Sequence, residues 1–203
     1  MLINNDYSND FLRWTSLIND NPISDPRDMD KLQQEIISAG NSAFAYFFAV
    51  DFQYKTYLMR KVIIDNKNAK YAFAFSRNVE NADIKALQDV IIKSKNAKYA
   101  HMFIKNVKGA NIAKFKNIIL KSGKPRYLFE LAKHVGQKDI DLIQDLIIQS
   151  GNCSYIRIFA TKIKTANIAK LERAILDSNN IKEIKKFAKN VKTSKMKNFL
   201  LVG

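Results

Sequence analysis

The chain has 203 residues, enough for one domain or an elongated array, and its hydrophobic content of 47% excludes a disordered polymer. A formal net charge of +15 points to a polyanionic partner. The longest strongly apolar run, Phe44–Val50, is too short for a membrane span, and the single Cys153 excludes an intramolecular disulfide. The opening MLINNDYSND is polar and slightly acidic, so no signal peptide is expected. Together with the lone cysteine this suggests a reducing, cytoplasmic setting without membrane contact.

Residues 1–27 predict one amphipathic capping helix, with Phe11, Leu12, Trp14, Leu17 and Ile18 inward and Pro22 and Pro26 ending it. From residue 28 to residue 203 the pattern becomes that of a repeat array. Asp28 reads as an N-cap, followed by Met29, Leu32, Ile36 and Ile37. A degenerate unit, one residue short, spans 41–67 and keeps Phe44, Phe48 and the Val62-Ile63-Ile64 run.

Four clean units follow at 68–95, 96–123, 124–151 and 152–179, each of 28 residues with no insertion. They read NAKYAFAFSRNVENADIKALQDVIIKSK, NAKYAHMFIKNVKGANIAKFKNIILKSG, KPRYLFELAKHVGQKDIDLIQDLIIQSG and NCSYIRIFATKIKTANIAKLERAILDSN. Counting the first residue as zero, position 3 is always Tyr: Tyr71, Tyr99, Tyr127 and Tyr155. Position 7 is Phe75, Phe103, Leu131 and Phe159, and position 11 is Val79, Val107, Val135 and Ile163. Spacings of four put these side chains on one face of a first helix. Asp83, Asn111, Asp139 and Asn167 then read as N-caps of a second helix. Its apolar stripe is Ile84-Leu87-Ile91, repeated as Ile112-Phe115-Ile119, Ile140-Ile143-Ile147 and Ile168-Leu171-Ile175. Ser122-Gly123 and Ser150-Gly151 read as helix stops, and Pro125 suits the start of the next helix. One such unit has too little apolar surface to stand alone, so neighbours must share their faces. A truncated unit occupies 180–203, with Phe187, Val191, Met196 and Phe199. This end either packs down as a cap or leaves an apolar patch for a homodimer. The reading is an all-α chain, an α-solenoid of about six short antiparallel helix hairpins with a 28-residue period.

The charge is uneven. Residues 1–50 carry three basic and seven acidic residues, net −4, and residues 51–203 carry net +19. Positions 2, 5 and 9 share an outer face of the first helix. They supply Lys70 and Arg77, then Lys98, His101 and Lys105, then Arg126 and Lys133, then Arg157, then Lys182, Lys185 and Lys189. Loop residues Lys108, Lys164 and Lys192 extend one edge. A row of point charges suits phosphates, and Phe73 and Phe129 within it suit unpaired bases unless they pack between units. The bland alternative is a lysine-rich solvated surface.

No catalytic chemistry emerges. His101 and His134 fall at different repeat positions, so no zinc site is expected. P-loop, G-x-G-x-x-G and G-x-S-x-G motifs are missing from the sequence. Cys153 takes a position held elsewhere by Ala69, Ala97 and Pro125, so a packing role is expected. Asp139, Asp141 and Asp145 cluster without further convergent acids, and Trp14 is assigned to core or cap. No cofactor, metal or enzymatic activity is expected.

The units resemble α-solenoid repeats of the HEAT and tetratricopeptide kind, with a shorter period and without those families' signature residues, so the architecture alone carries over. The phrases NAKYAHMFIKNVKGANIAKF and SGNCSYIRIFATKIKTANIAKLERAIL resemble tandem short helical repeats of large DNA viruses, phages and some bacteria. This resemblance covers residues 28–203 and specifies a repeat, not an activity. Charge and shape, not the resemblance, lead to the expectation of a non-enzymatic binding module whose basic face engages nucleic acid or a nucleoprotein complex. In a viral setting, that means inhibition of a nuclease or defence complex inside the host cell. The alternative is a scaffold whose concave face takes an acidic protein.

Overall fold

The structure, a computed structural model, describes residues 7–20, 22–23, 25–191 and 193–196. Among these residues there are thirteen α-helices and no strand. The chain divides into two compact units, Met1–Ala110 and Asn111–Gly203.

The first unit contains α1 (Ser8–Asp20), α2 (Pro26–Ala39), α3 (Ser42–Phe52), α4 (Thr56–Asp65), α5 (Ala69–Asn78), α6 (Ile84–Ser94) and α7 (Ala97–Asn106). Helices α1, α3, α5 and α7 pack side by side in that order, as do α2, α4 and α6, and successive helices from α2 to α7 contact each other across the two rows. At the centre is α3, whose sequence SAFAYFFAVDF is apolar nearly all round and therefore buried on several sides. Trp14 of α1, 1% exposed, lies against Phe44, Phe47 and Phe52, and its Nε1–H donates to Asp51 at 2.7 Å. Helix α1 thus lies against α3, although Leu12, expected inward, is 64% exposed.

The second unit contains α8 (Ile112–Ser122), α9 (Pro125–Ala132), α10 (Gln137–Gln149), α11 (Cys153–Lys162), α12 (Ile168–Asp177) and α13 (Ile181–Asn190). Helix α11 packs against α9 and α13, and successive helices from α8 to α13 contact one another. Repeat positions 7, 19 and 23 of the expected stripes form the core of both units, whereas Tyr99, Tyr127 and Tyr155 at position 3 and Ile84, Ile112 and Ile168 at position 16 are only half-buried. Phe75, Phe103, Leu131, Phe159 and Phe187 are at most 1% exposed, as are the second-helix pairs from Leu87 and Ile91 to Leu171 and Ile175.

Most of these helices have only eight to eleven residues, too short to persist alone, so their ends matter. Asn68, Asn96, Asn152 and Asn180 cap α5, α7, α11 and α13, each side chain accepting from a first-turn N–H. Just before them lies a residue in the left-handed region: Lys67, Lys95, Gly151 and Asn179, with Gly123 in the same role before α9. A serine ties each of four such junctions together. The hydroxyls of Ser94, Ser122, Ser150 and Ser178 donate to the carbonyls of Ile91, Ile119, Ile147 and Ile175 at 2.6–2.7 Å. The same oxygens accept from the N–H groups of Asn96, Lys124, Asn152 and Asn180 at 3.2–3.3 Å.

Two expected caps are corrected. Helix α2 is capped by Asp25, not Asp28. Pro26 begins the helix, and Asp28 closes a capping box by accepting from the Asp25 N–H at 3.1 Å. Asp139 lies inside the first turn of α10, because α9 stops at Ala132 and Gly136 takes the N-cap position. Its carboxylate pairs with Lys116 Nζ at 2.5 Å. Gln144 Oε1 accepts from the Asn167 N–H at 2.8 Å, and Glu172 Oε1 from the Lys195 N–H at 2.7 Å. These three contacts share one offset, 23 residues, between a second helix and the start of the next. The expected cap or dimer patch around Phe199 lies outside the described residues.

Candidate nucleic-acid interface

In the first unit the candidate cations sit on α5, α7 and the turn after α7. Arg77, Lys98, Lys105 and Lys108 are exposed. His101 is 5% exposed and belongs to the packed interior, as does Phe73 at 2%. Lys70 is half-buried, with Nζ 2.8 Å from the Asp10 carboxylate and 4.7 and 4.9 Å from the ring centroids of Tyr7 and Tyr71. The Tyr71 hydroxyl also donates to Asp10. Burial raises the Asp10 carboxyl pKa. Hydrogen bonds from Lys70 and Tyr71, and the charges of Lys70 and Arg13, outweigh that effect and hold it below its ordinary value. Tyr71 is shifted upward by burial and then by Asp10. Lys70 is therefore largely compensated within the chain.

In the second unit Arg126, Lys164, Lys182, Lys185 and Lys189 are exposed. Lys133 is exposed too, but its Nζ lies 2.7 Å from Glu130 and 4.9 Å from the Phe129 ring centroid. Arg157 is half-buried, its Nε 3.4 Å from Glu183 on α13. The hydrogen bond from Lys186 and the nearby charges of Lys186 and Arg157 overcome burial and hold the Glu183 carboxyl below its ordinary range. Phe129 is half-buried against Tyr155 with ring centroids 6.4 Å apart, so it packs between neighbouring helices. Lys192 lies outside the described residues.

Comparison with known protein families, with curated proteins and with solved structures yields no match. The chemistry therefore has to be read from this chain alone.

Three lysines form the most uniform cationic feature of the second unit. Lys182, Lys185 and Lys189 follow i, i+3, i+7 spacing and share one face of α13, opposite the buried Phe187. None has an ion-pair partner among the described residues. A groove of about 390 Å³ lies among α10, α11 and α12, with Ile148, Ile156 and Ala174 below Lys170 and Arg173. Cys153 lines it and its Sγ lies 3.7 Å from the Gly151 carbonyl oxygen. Among the described residues, no three His, Cys, Asp or Glu side chains converge as a metal site, and no helix is long and apolar enough to cross a membrane.

Sequence reasoning missed two devices. Asn begins three of the four clean units, at Asn68, Asn96 and Asn152, and its capping role is legible from its type, whereas Lys124 begins the other without a side-chain cap. The lysine–tyrosine pair at positions 2 and 3 was also overlooked as a unit. Its signal is the adjacency of Lys70-Tyr71 and Lys98-Tyr99; at Tyr127 the preceding residue is Arg126, and the ammonium near the ring is that of Lys124.

Proposed function

We propose that the chain is a helical-repeat binding module, an α-solenoid with a 28-residue period, whose exposed cations engage nucleic acid or a nucleoprotein complex without catalysing a reaction. The observation that carries this reading is the α13 stripe of Lys182, Lys185 and Lys189, exposed and without carboxylate partners among the described residues. Such charges release counterions from a phosphate backbone, so affinity falls steeply with salt. The test is fluorescence anisotropy of a labelled single-stranded oligonucleotide between about 50 and 200 mM salt. Wild-type affinity is expected to drop with salt, and Lys182→Glu, Lys185→Glu and Lys189→Glu together to weaken it tenfold or more, on the order of three lost phosphate contacts. Wild-type affinity in that triple variant would remove α13 from the interface.

The groove among α10, α11 and α12 supports a second reading, an acidic protein partner. Its lining joins the apolar Ile148, Ile156 and Ala174 to Arg173, with Asp177 also present and Lys170 paired to Asp145, so an amphipathic segment that offers a carboxylate to Arg173 suits it. A partner captured by the full chain and retained after nuclease treatment, but lost in Arg173→Glu, would favour that reading.

A further inference from the structure

In the first unit, the ring pair that joins α3 to α5 is covered by the chain itself. Tyr46 and Tyr71 have ring centroids 5.7 Å apart, and Tyr7, just ahead of α1, lies against both at 6.3 and 5.7 Å. Three residues on, Asp10 accepts from the Tyr71 hydroxyl and pairs with Lys70 Nζ at 2.8 Å. Under this cover Tyr46 and Tyr71 are only 4% and 3% exposed. A ring followed by a carboxylate in the first turn of a helix therefore closes the joint.

Tyr46 holds position 5 of its unit and Tyr71 position 3 of the next. The same two positions meet between α9 and α11, where the Phe129 and Tyr155 ring centroids are 6.4 Å apart. They meet again between α11 and α13, but there as the ion pair of Arg157 and Glu183 at 3.4 Å. Among the described residues no third ring lies on Phe129 and Tyr155, and both side chains stay half-buried. Arg126 precedes Phe129 by three residues on the same face of α9 and is exposed. Residues 111–203 carry 19 basic and seven acidic residues, so this surface favours an acidic visitor.

We propose that the Phe129–Tyr155 joint docks an acidic amphipathic segment of a partner protein, which sets an aromatic ring on the pair and a carboxylate, one turn on, against the Tyr155 hydroxyl in the field of Arg126. The template is the chain's own Tyr7 and Asp10 on the equivalent pair. Arg126 supplies the positive charge that Lys70 supplies in the first unit, since position 2 of α11 is the neutral Ser154. The α1 helix of a second copy is not the occupant, because Trp14, 1% exposed and donating to Asp51 at 2.7 Å, ties α1 to its own α3. The proposal goes beyond the polyanion reading and uses no residue of the α13 stripe.

The experiment titrates the full chain into a labelled peptide that copies residues 4–18, NNDYSNDFLRWTSLI, and reads fluorescence anisotropy. Wild type is expected to bind it. Tyr155→Ala removes one ring of the pair together with its hydroxyl, and is expected to weaken the peptide about tenfold. Arg126→Glu reverses an exposed charge without touching the core, and is expected to weaken it severalfold. Peptides carrying Tyr7→Ala or Asp10→Asn are expected to bind less well than the parent. A peptide that fails to bind the wild-type chain, or binds wild type and both variants equally, would overturn the docking site. A labelled single-stranded oligonucleotide weakened by Tyr155→Ala, with the peptide unbound, would give the joint to nucleic acid and overturn the proposal while the polyanion reading stands. Peptide binding that is lost in Tyr155→Ala, with no oligonucleotide bound by wild type, would support the joint and end the polyanion reading.

Discussion

The joints between units allow one substitution to be set against its mirror image. Gly123 has φ +61°, and a Cβ built on it meets nothing within 4 Å. The cost of Gly123→Ala is therefore backbone strain without a clash, about 1–2 kcal/mol for an L-residue in the left-handed region. Stiffening the unfolded chain offsets about 0.4–1 kcal/mol of this, leaving a net loss of about 0.5–1 kcal/mol. Lys95 occupies the equivalent joint at φ 54° and already carries that strain. Lys95→Gly is therefore expected to stabilise by about the same amount, or about 2–4 °C in Tm per kcal/mol for a chain of this size. Urea unfolding read by two probes checks both. Trp14, the only tryptophan, reports the first unit, which contains Lys95, while far-UV circular dichroism follows the helices of both units. A lower midpoint for Lys95→Gly, or a neutral Gly123→Ala, would refute the strain argument.

Asn96→Ala removes the acceptor for the N–H groups of Lys98 and Tyr99, at 3.0 and 3.4 Å, and is expected to cost about 1 kcal/mol in the same urea assay. Gln144→Ala strands the part-buried Asn167 N–H and is expected to cost about 1–3 kcal/mol, visible as a lower dichroism midpoint. Asp10 predicts a pH dependence. Its carboxyl lies below the ordinary value of 3.8 in the folded chain, so its stabilisation is complete above that pH and lost as pH falls through the lower, folded value. The Trp14-reported urea midpoint is expected to fall more between pH 7 and pH 3 in wild type than in Asp10→Asn; equal falls would show that the carboxylate does not hold α1.

Helical stripes were legible because burial repeats with the residue type. Positions 7, 19 and 23 carry Phe, Leu or Ile in every clean unit and are at most 1% exposed throughout. Glycine marked the joints at Gly123 and Gly151, where a left-handed residue is needed. Lys67, Lys95 and Asn179 adopt the same conformation, and only Asn among them hints at it. A lysine forced into this region by the flanking cap and serine bridge leaves no mark in composition. Asp25 and Asp28 show a different limit. Both are plausible caps by type, and the capping box uses both, so position relative to Pro26 decides which begins the helix. Asp139 departs from its repeat because α9 is two residues shorter than α7 or α11, which lets α10 begin at Gln137.

The binding surface was less legible because a repeat position fixes a direction, not a neighbour. Position 5 is buried as Phe73 and His101, half-buried as Phe129 and Arg157, and exposed as Lys185. What covers it is the next helix in the row, as Tyr155 covers Phe129 and Glu183 meets Arg157. Counting cations along the register therefore overstates the charge offered to a ligand. Asp10 compensates Lys70, Glu130 compensates Lys133, and Glu183 compensates Arg157 and Lys186. Asp10 on α1 and Glu183 on α13 reach Lys70 and Arg157 on neighbouring helices, so those two pairs form as the helices pack. Under the polyanion reading, the salt dependence of binding would report the uncompensated set, beginning with Lys182, Lys185 and Lys189, and neutralising Lys70 or Lys133 would change stability more than affinity.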